Sequence, residues 1–253
     1  MLPLQDLYQG RTLKLAHRGA RHAAPENTLP AFQRAVEMGA DGFELDVQLT
    51  FDDVPVVMHG FDLKDVTDAS GLTTEYTLEQ IKELDAGAHF DAEFAGTQIP
   101  TLSEVLDAFP EQIVDVELKS LTPSDTGLER AVVEVIRKHR AEKRVIISSF
   151  NPFCLRRTRR LAPELPIGYL TDADLGLVLR KGWLLLGVKR EAIHPNYTMV
   201  DEKFMAWARE RNWRVNAWTV DEANDMKQLL ALGVDAIITD RPDVLRAVLE
   251  GEA

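Results

Sequence analysis

Eight short β-branched runs, longer amphipathic segments between them and a length of 253 residues together predict an α/β chain folded as a (β/α)₈ TIM barrel. The runs are residues 13–18 ("LKLAHR"), 42–47 ("GFELDV"), 113–118 ("IVDVEL"), 144–149 ("RVIISS"), 166–170 ("PIGYL"), 191–194 ("EAIH"), 214–218 ("RVNAW") and 235–239 ("DAIIT"). Between most of them lie helical patterns such as "TLPAFQRAVEMG", "GLERAVVEVIRKHR" and "DEANDMKQLLALG", several ending on a glycine suited to close a helix. An open doubly wound sheet competes with this reading, but no Gly-rich dinucleotide fingerprint follows the first run.

One apolar run falls outside the count of eight. "VPVVMH" (54–59) is separated from the second strand only by "TFDD", too short for a parallel crossover, so it must return as a hairpin. With the turn centred on Asp52, His59 comes back opposite Leu45. Residues 60–100 are rich in Gly, Asp and Thr and hold one convincing helix, "TLEQIKEL". The expected organisation is therefore one barrel domain, 1–253, with 60–100 as a small insertion over its mouth.

Charge and composition narrow the function. The formal net charge of −12 disfavours broad attraction to nucleic acid or to an anionic membrane. The start lacks a basic region followed by an apolar core, and "GWLLLGV" is too short to span a bilayer. A cytoplasmic protein without stable membrane association and with a small-molecule partner is expected; a homodimer is compatible with the sequence. Cys154 is the only cysteine, which excludes an internal disulfide and suggests a structural or surface role. The basic cluster "RRTRR" (156–160) reads as a solvated helix face.

In a (β/α)₈ barrel, chemistry collects at the C-terminal ends of the strands. The first strand ends in His17 and Arg18. In "ELDVQL" the apolar Leu45, Val47 and Leu49 alternate with Glu44, Asp46 and Gln48, as in a half-buried strand with two carboxylates on one face. In "DVELKS" Asp115, Glu117 and Lys119 share a face in the same way. Two carboxylates about 4 Å apart repel by several kcal/mol at an effective dielectric near 20, so Glu44, Asp46 and Glu117 together require a cation. An all-oxygen ligand set suits Mg²⁺ or Ca²⁺; the competing possibility is a structural ion network neutralised by Arg18 and Lys119. His17 and His59 form a pair able to act as general acid and base, and Arg18 with Lys119 suits a phosphate group. Metal, phosphate clamp and histidine pair describe phosphoryl transfer.

The motifs "AHRGA", "PENTLPAF", "GADGFELDVQLTFDDVPVVMHG", "IPTLSEVL", "VELK", "VNAWTV" and "GVDAIITDRPD", in this order over about residues 13–245, resemble the glycerophosphodiester phosphodiesterase family in its cytosolic bacterial type. The resemblance implies a (β/α)₈ barrel with an insertion after the second histidine. It also implies metal-dependent hydrolysis of glycerophosphodiesters, such as glycerophosphocholine or glycerophosphoethanolamine, to sn-glycerol 3-phosphate and an alcohol. His17 and His59 become the acid/base pair, Glu44, Asp46 and Glu117 the metal ligands, and Arg18 and Lys119 the phosphate ligands. The resemblance adds Glu26, Asn27 and Trp218 as substrate-side residues, although Asn27 or Thr28 is equally suited to cap the following helix. A lysophospholipase D-type enzyme or a catalytically silent phosphodiester-binding barrel are the alternatives. The chain departs from the family pattern at Gly60, where aspartate is usual, and at Phe51 and Asp53 in the hairpin turn, where lysine and glycine are usual.

Overall fold

A computed structural model describes residues 7, 8 and 10–252. Its strands are β1 (Leu13–His17), β2 (Gly42–Leu49), β3 (Pro55–Val57), β4 (Ile113–Leu118), β5 (Val145–Ser149), β6 (Ile167–Thr171), β7 (Ala192–Pro195), β8 (Arg214–Ala217) and β9 (Ala236–Thr239). All except β3 run parallel to their neighbours, and β1 pairs with both β9 and β2, which closes eight strands into a barrel. Each expected strand is found, with its ends shifted by no more than two residues.

The apolar residues of β2 explain how it is held. Phe43, Leu45 and Val47 join the large cluster that contains Phe32 of α1 (Leu29–Glu37) and Leu102 and Val105 of α3 (Leu102–Ala108); α2 is the short helix Leu78–Lys82. The Phe32 and Phe43 rings stack with centroids 4.3 Å apart. The half-buried strand expected from alternation is not observed, because all eight residues of β2 are buried. In a closed barrel the second face points inward rather than to solvent. At the start of β2 a Cβ on Gly42 would lie 1.9 Å from the Ile113 carbonyl oxygen. Glycine thus permits the close approach that begins the β2–β4 ladder, whose register sets Asp46 beside Glu117.

The hairpin has the expected register: Val47 pairs with Val57, and Met58 N–H donates to the Asp46 carbonyl at 2.9 Å. His59 follows level with Leu45. Asp53 has φ +61°, a left-handed conformation that favours glycine and that aspartate tolerates. This accounts for the altered turn residue without a change of register. Beyond it, Met58, Leu63, Ile81, Ala86 and Ile99 form a small cluster with Val56, so the segment after β3 carries its own core. Gln48 ties that segment to β2: its amide donates to the Gly60 carbonyl at 2.6 Å, and its carbonyl accepts from the Thr73 hydroxyl at 3.3 Å.

The "RRTRR" cluster is not the solvated face expected from its charge. It lies on α5 (Pro152–Leu161), which packs against α4 (Leu128–Lys138). Arg157 binds the fully buried Glu129 at 2.8 Å, and Arg156 donates to the Leu184 and Leu186 carbonyls. Arg159 pairs with Glu191. Only Arg160 is exposed. Cys154 is buried on the same helix, and burial together with Glu129 pushes its thiol up to about 12, consistent with a structural role. Among the described residues no helix is long and apolar enough to cross a membrane.

Two outcomes follow from these contacts. Arg157→Ala strands a buried carboxylate and is expected to cost about 3–5 kcal/mol in urea unfolding, whereas Arg160→Ala stays within about 0.5 kcal/mol. At the other end of the barrel, burial would raise the Asp41 carboxyl, but the Arg11 guanidinium and the Lys14 backbone N–H outweigh it and hold the group below its ordinary value of 3.8. A folded value below the unfolded one means that the unfolded chain binds the proton first as pH falls. The stability lost in Asp41→Asn is therefore full at neutral pH and vanishes as pH drops through the folded value. Unfolding of both proteins across pH 2–7, in about one-unit steps, checks this.

Candidate active site

The polar residues expected at the strand ends converge at one end of the barrel. Glu44, Asp46 and Glu117 are buried, and one oxygen from each lies within 4.8 Å of the others. Barrel closure brings in β1. His17 pairs in register with Glu44, its Nε2 being 4.0 Å from Glu44 Oε2, and Arg18 N–H donates to the Glu44 carbonyl at 2.9 Å. Arg18 has φ +55°, which turns the chain as it leaves β1.

The Arg18 guanidinium spans two acids. Nη1 donates to Glu26 Oε1 at 3.1 Å, and Nε lies 3.2 Å from Asp46 Oδ2. Lys119 reaches the same group from β4, with Nζ 3.4 Å from Asp46 Oδ1 and 3.2 Å from Glu117 Oε1. Its ammonium also lies 5.9 Å from the Phe61 ring centroid. Asn27 Nδ2 donates to Asp46 Oδ2 at 2.9 Å, while the Thr28 hydroxyl accepts from Ala31 N–H and caps α1. The two candidate caps thus divide the work: threonine caps the helix and asparagine faces the acid cluster.

Electrostatics separate the three acids. Burial, then Asp46 and Glu117, push Glu44 well above the carboxylate range. Burial and Asp46 push Glu117 up to about 7. Burial would raise Asp46 as well, but Arg18 and Lys119 outweigh it and hold this carboxyl low. The same balance raises Lys119, where Glu117 and Asp46 overcome the effect of burial. Burial lowers the His59 imidazole to about 4; the Arg18 and Lys119 charges add to this, and Asp46 and Glu26 oppose it.

The residues present fit a divalent cation. Three basic side chains, Arg18, Arg21 and Lys119, serve Glu26, Glu44, Asp46 and Glu117, and Arg21 is shared with Asp240, so the cluster carries more acid than its own cations balance. Asp46 Oδ1 is buried without a hydrogen-bond donor, and the three carboxylates offer the all-oxygen set that hard cations prefer.

Trp218 lies outside this network of contacts. It follows β8, its indole N–H donates to the His194 carbonyl at 2.7 Å, and its ring meets Phe150 edge-on with centroids 5.5 Å apart. At Gly60 a Cβ would lie 1.9 Å from Asp65 Oδ2, so the Asp65 carboxylate occupies the space that a side chain at 60 would need.

The model of the glycerophosphoryl diester phosphodiesterase family matches residues 17–244. The chain belongs to this family. A glycerophosphodiester phosphodiesterase of Caldanaerobacter subterraneus subsp. tengcongensis is 41% identical over 93% of this chain and 96% of its own length. One from Bacillus subtilis is 32% identical, over 95% and 87% respectively. Among solved structures, a phosphodiesterase from Oleispira antarctica in complex with the product sn-glycerol-3-phosphate superposes with a TM-score of 0.86 at 29% identity, over 96% of this chain and 99% of that one. The protein is thus an enzyme, a glycerophosphodiester phosphodiesterase built on a (β/α)₈ barrel.

Sequence reasoning passed over several residues that the fold brings to the cluster. Asp240 contacts His17, Arg21 joins Asp240 to Glu26, and Phe61 stands beside Lys119. The signal for Asp240 was present, since it follows directly on "IIT" at a strand end, where the other polar candidates were sought.

Proposed function

We propose that the protein hydrolyses water-soluble glycerophosphodiesters, with glycerophosphocholine and glycerophosphoethanolamine as representative substrates, to sn-glycerol 3-phosphate and the alcohol. The observation that carries this reading is the meeting of three carboxylates, two basic side chains and His17 at the ends of β1, β2 and β4, with His59 returned to the same level by the hairpin. Glu44, Asp46 and Glu117 would hold Mg²⁺ or Ca²⁺, which supplies Lewis-acid stabilisation of a phosphoryl oxygen when bound. Arg18 and Lys119 take up negative charge on the phosphate, the first as a planar fork and the second as a point charge.

His17 and His59 divide the proton transfers. One imidazole removes the proton from the nucleophile, a water or the glycerol 2-hydroxyl, and the other protonates the departing alcohol oxygen as the P–O bond breaks. Attack by the 2-hydroxyl gives a cyclic phosphate, which water then opens to sn-glycerol 3-phosphate. Glu26 and Asn27 fix Arg18 and Asp46, and Trp218 walls the substrate pocket. The chain is one barrel domain with residues 60–100 as an insertion over its mouth, a reading supported by that segment's packing on the β2–β3 hairpin. A cytoplasmic location completes the proposal, in keeping with the one buried free thiol.

Release of sn-glycerol 3-phosphate from glycerophosphocholine with Mg²⁺ or Ca²⁺, and its disappearance with chelator, is the direct test. Absence of product from folded protein with both metals overturns the reading. Two variants separate its parts. His59→Ala is expected to lose about 10²- to 10⁴-fold in turnover with metal affinity retained. Glu44→Ala weakens metal binding and recovers activity in part as metal is raised, because mass action refills a weakened site but does not replace a proton donor. Calorimetric metal titration with turnover at each concentration distinguishes them, and the opposite pattern of rescue exchanges the two roles.

A further inference from the structure

The end of β9 supplies a group that the mechanism above does not use. Ala16 and Thr239 form the last paired residues of β1 and β9, so the next residues, His17 and Asp240, leave the barrel side by side. His17 Nδ1 lies 2.7 Å from Asp240 Oδ1, and both side chains are largely shielded, at 12% and 23% exposure. The backbone at Asp240 is anchored and a cation stands by the carboxylate. Asp240 N–H donates to Asp221 Oδ1 at 2.8 Å, the Thr239 hydroxyl donates to the same oxygen at 3.1 Å, and Arg21 Nη1 lies 3.7 Å from Asp240 Oδ2. Arg21 also reaches Glu26 at 3.2 Å, which links this support to Arg18.

We propose that Asp240 is the positioning residue for His17: its carboxylate accepts the Nδ1–H, fixes that tautomer and the ring plane, and turns Nε2 toward Glu44 as the nitrogen that exchanges protons. The chemistry demands this order. A carboxylate oxygen only accepts at such a distance, so the proton of a neutral imidazole must reside on Nδ1 and the lone pair on Nε2. Without that acceptor the ring gains a second tautomer and freedom about χ2, and both reduce the fraction of molecules with Nε2 ready at the reacting oxygen. Asparagine at 240 would preserve the shape but can offer an N–H to Nδ1, which stabilises the wrong tautomer. The inference rests on the acid/base role proposed for His17.

Two measurements test it. In chelated protein, ¹⁵N spectra of the imidazoles, with His17 assigned by the signals missing from His17→Gln, are expected to show a proton on His17 Nδ1, and Asp240→Asn is expected to lose that preference. A neutral His17 protonated on Nε2 in the unsubstituted protein overturns the proposal. In turnover of glycerophosphocholine with Mg²⁺, Asp240→Asn is expected to lower kcat about 10- to 100-fold while KM and Mg²⁺ affinity stay within about twofold, and Asp240→Glu to recover part of the loss. Because Asp240 acts through His17, the double variant Asp240→Asn with His17→Ala should be no slower than His17→Ala alone. Full kcat in Asp240→Asn, or losses that multiply in the double variant, overturns the assignment. Full turnover in His17→Ala overturns the acid/base reading instead, while the spectra still decide whether Asp240 holds the tautomer.

Discussion

Closure of the barrel between β1 and its two neighbours is the constraint on which the rest of the site depends. An open sheet would leave the polar faces of β2 and β4 against solvent, where two carboxylates in neighbouring register cost little. Closing the sheet turns those faces inward, and Glu44, Asp46 and Glu117 become buried at mutual distances below 4.8 Å. Charge repulsion at this range in a desolvated setting must be relieved by protonation, by basic side chains or by a bound cation. The first two responses are visible in the arrangement, since Glu44 and Glu117 are pushed toward the neutral form and Asp46 is held ionised by Arg18 and Lys119; the remaining excess of acid suits a divalent ion.

The scaffold bears this load through features distant from the acids. Gly42 allows β2 to approach β4, the stacked Phe32 and Phe43 rings hold the outer face of β2, and Thr28 caps α1 so that Asn27 remains free to bind Asp46. Stability and function are therefore separable at neighbouring residues, one serving the helix and the next the cluster. On the far face of the sheet, Arg157 and Glu129 solve a similar buried-charge problem in a structural setting, with a single ion pair and no chemistry to perform.

Much of the site was legible in the chain. Alternation in "ELDVQL" and "DVELKS" assigned the acids to one face, and the four residues of "TFDD" left only a hairpin, whose register returned His59 to their level. Local sequence misled where charge was taken as exposure. The arginines of "RRTRR" were read as a solvated face, yet three of the four bind a buried or backbone acceptor contributed by segments at least 28 residues away. The burial of both faces of β2 was missed for the same reason, because a single strand does not reveal whether its polar face meets water or other strands.

By itself the sequence determined the number and order of the strands, the faces their side chains occupy and the family to which the motifs belong. These properties depend on spacing along the chain: a period of two in a strand, a short turn, a glycine after a helix. Tertiary structure decided which strand ends meet. His17 and Asp240 are 223 residues apart and touch only because β9 closes onto β1. Arg21 then gains a partner, Asp240, across the same seam. No local period encodes that contact, since it arises when the sheet curls far enough for its first and last parallel strands to exchange backbone hydrogen bonds.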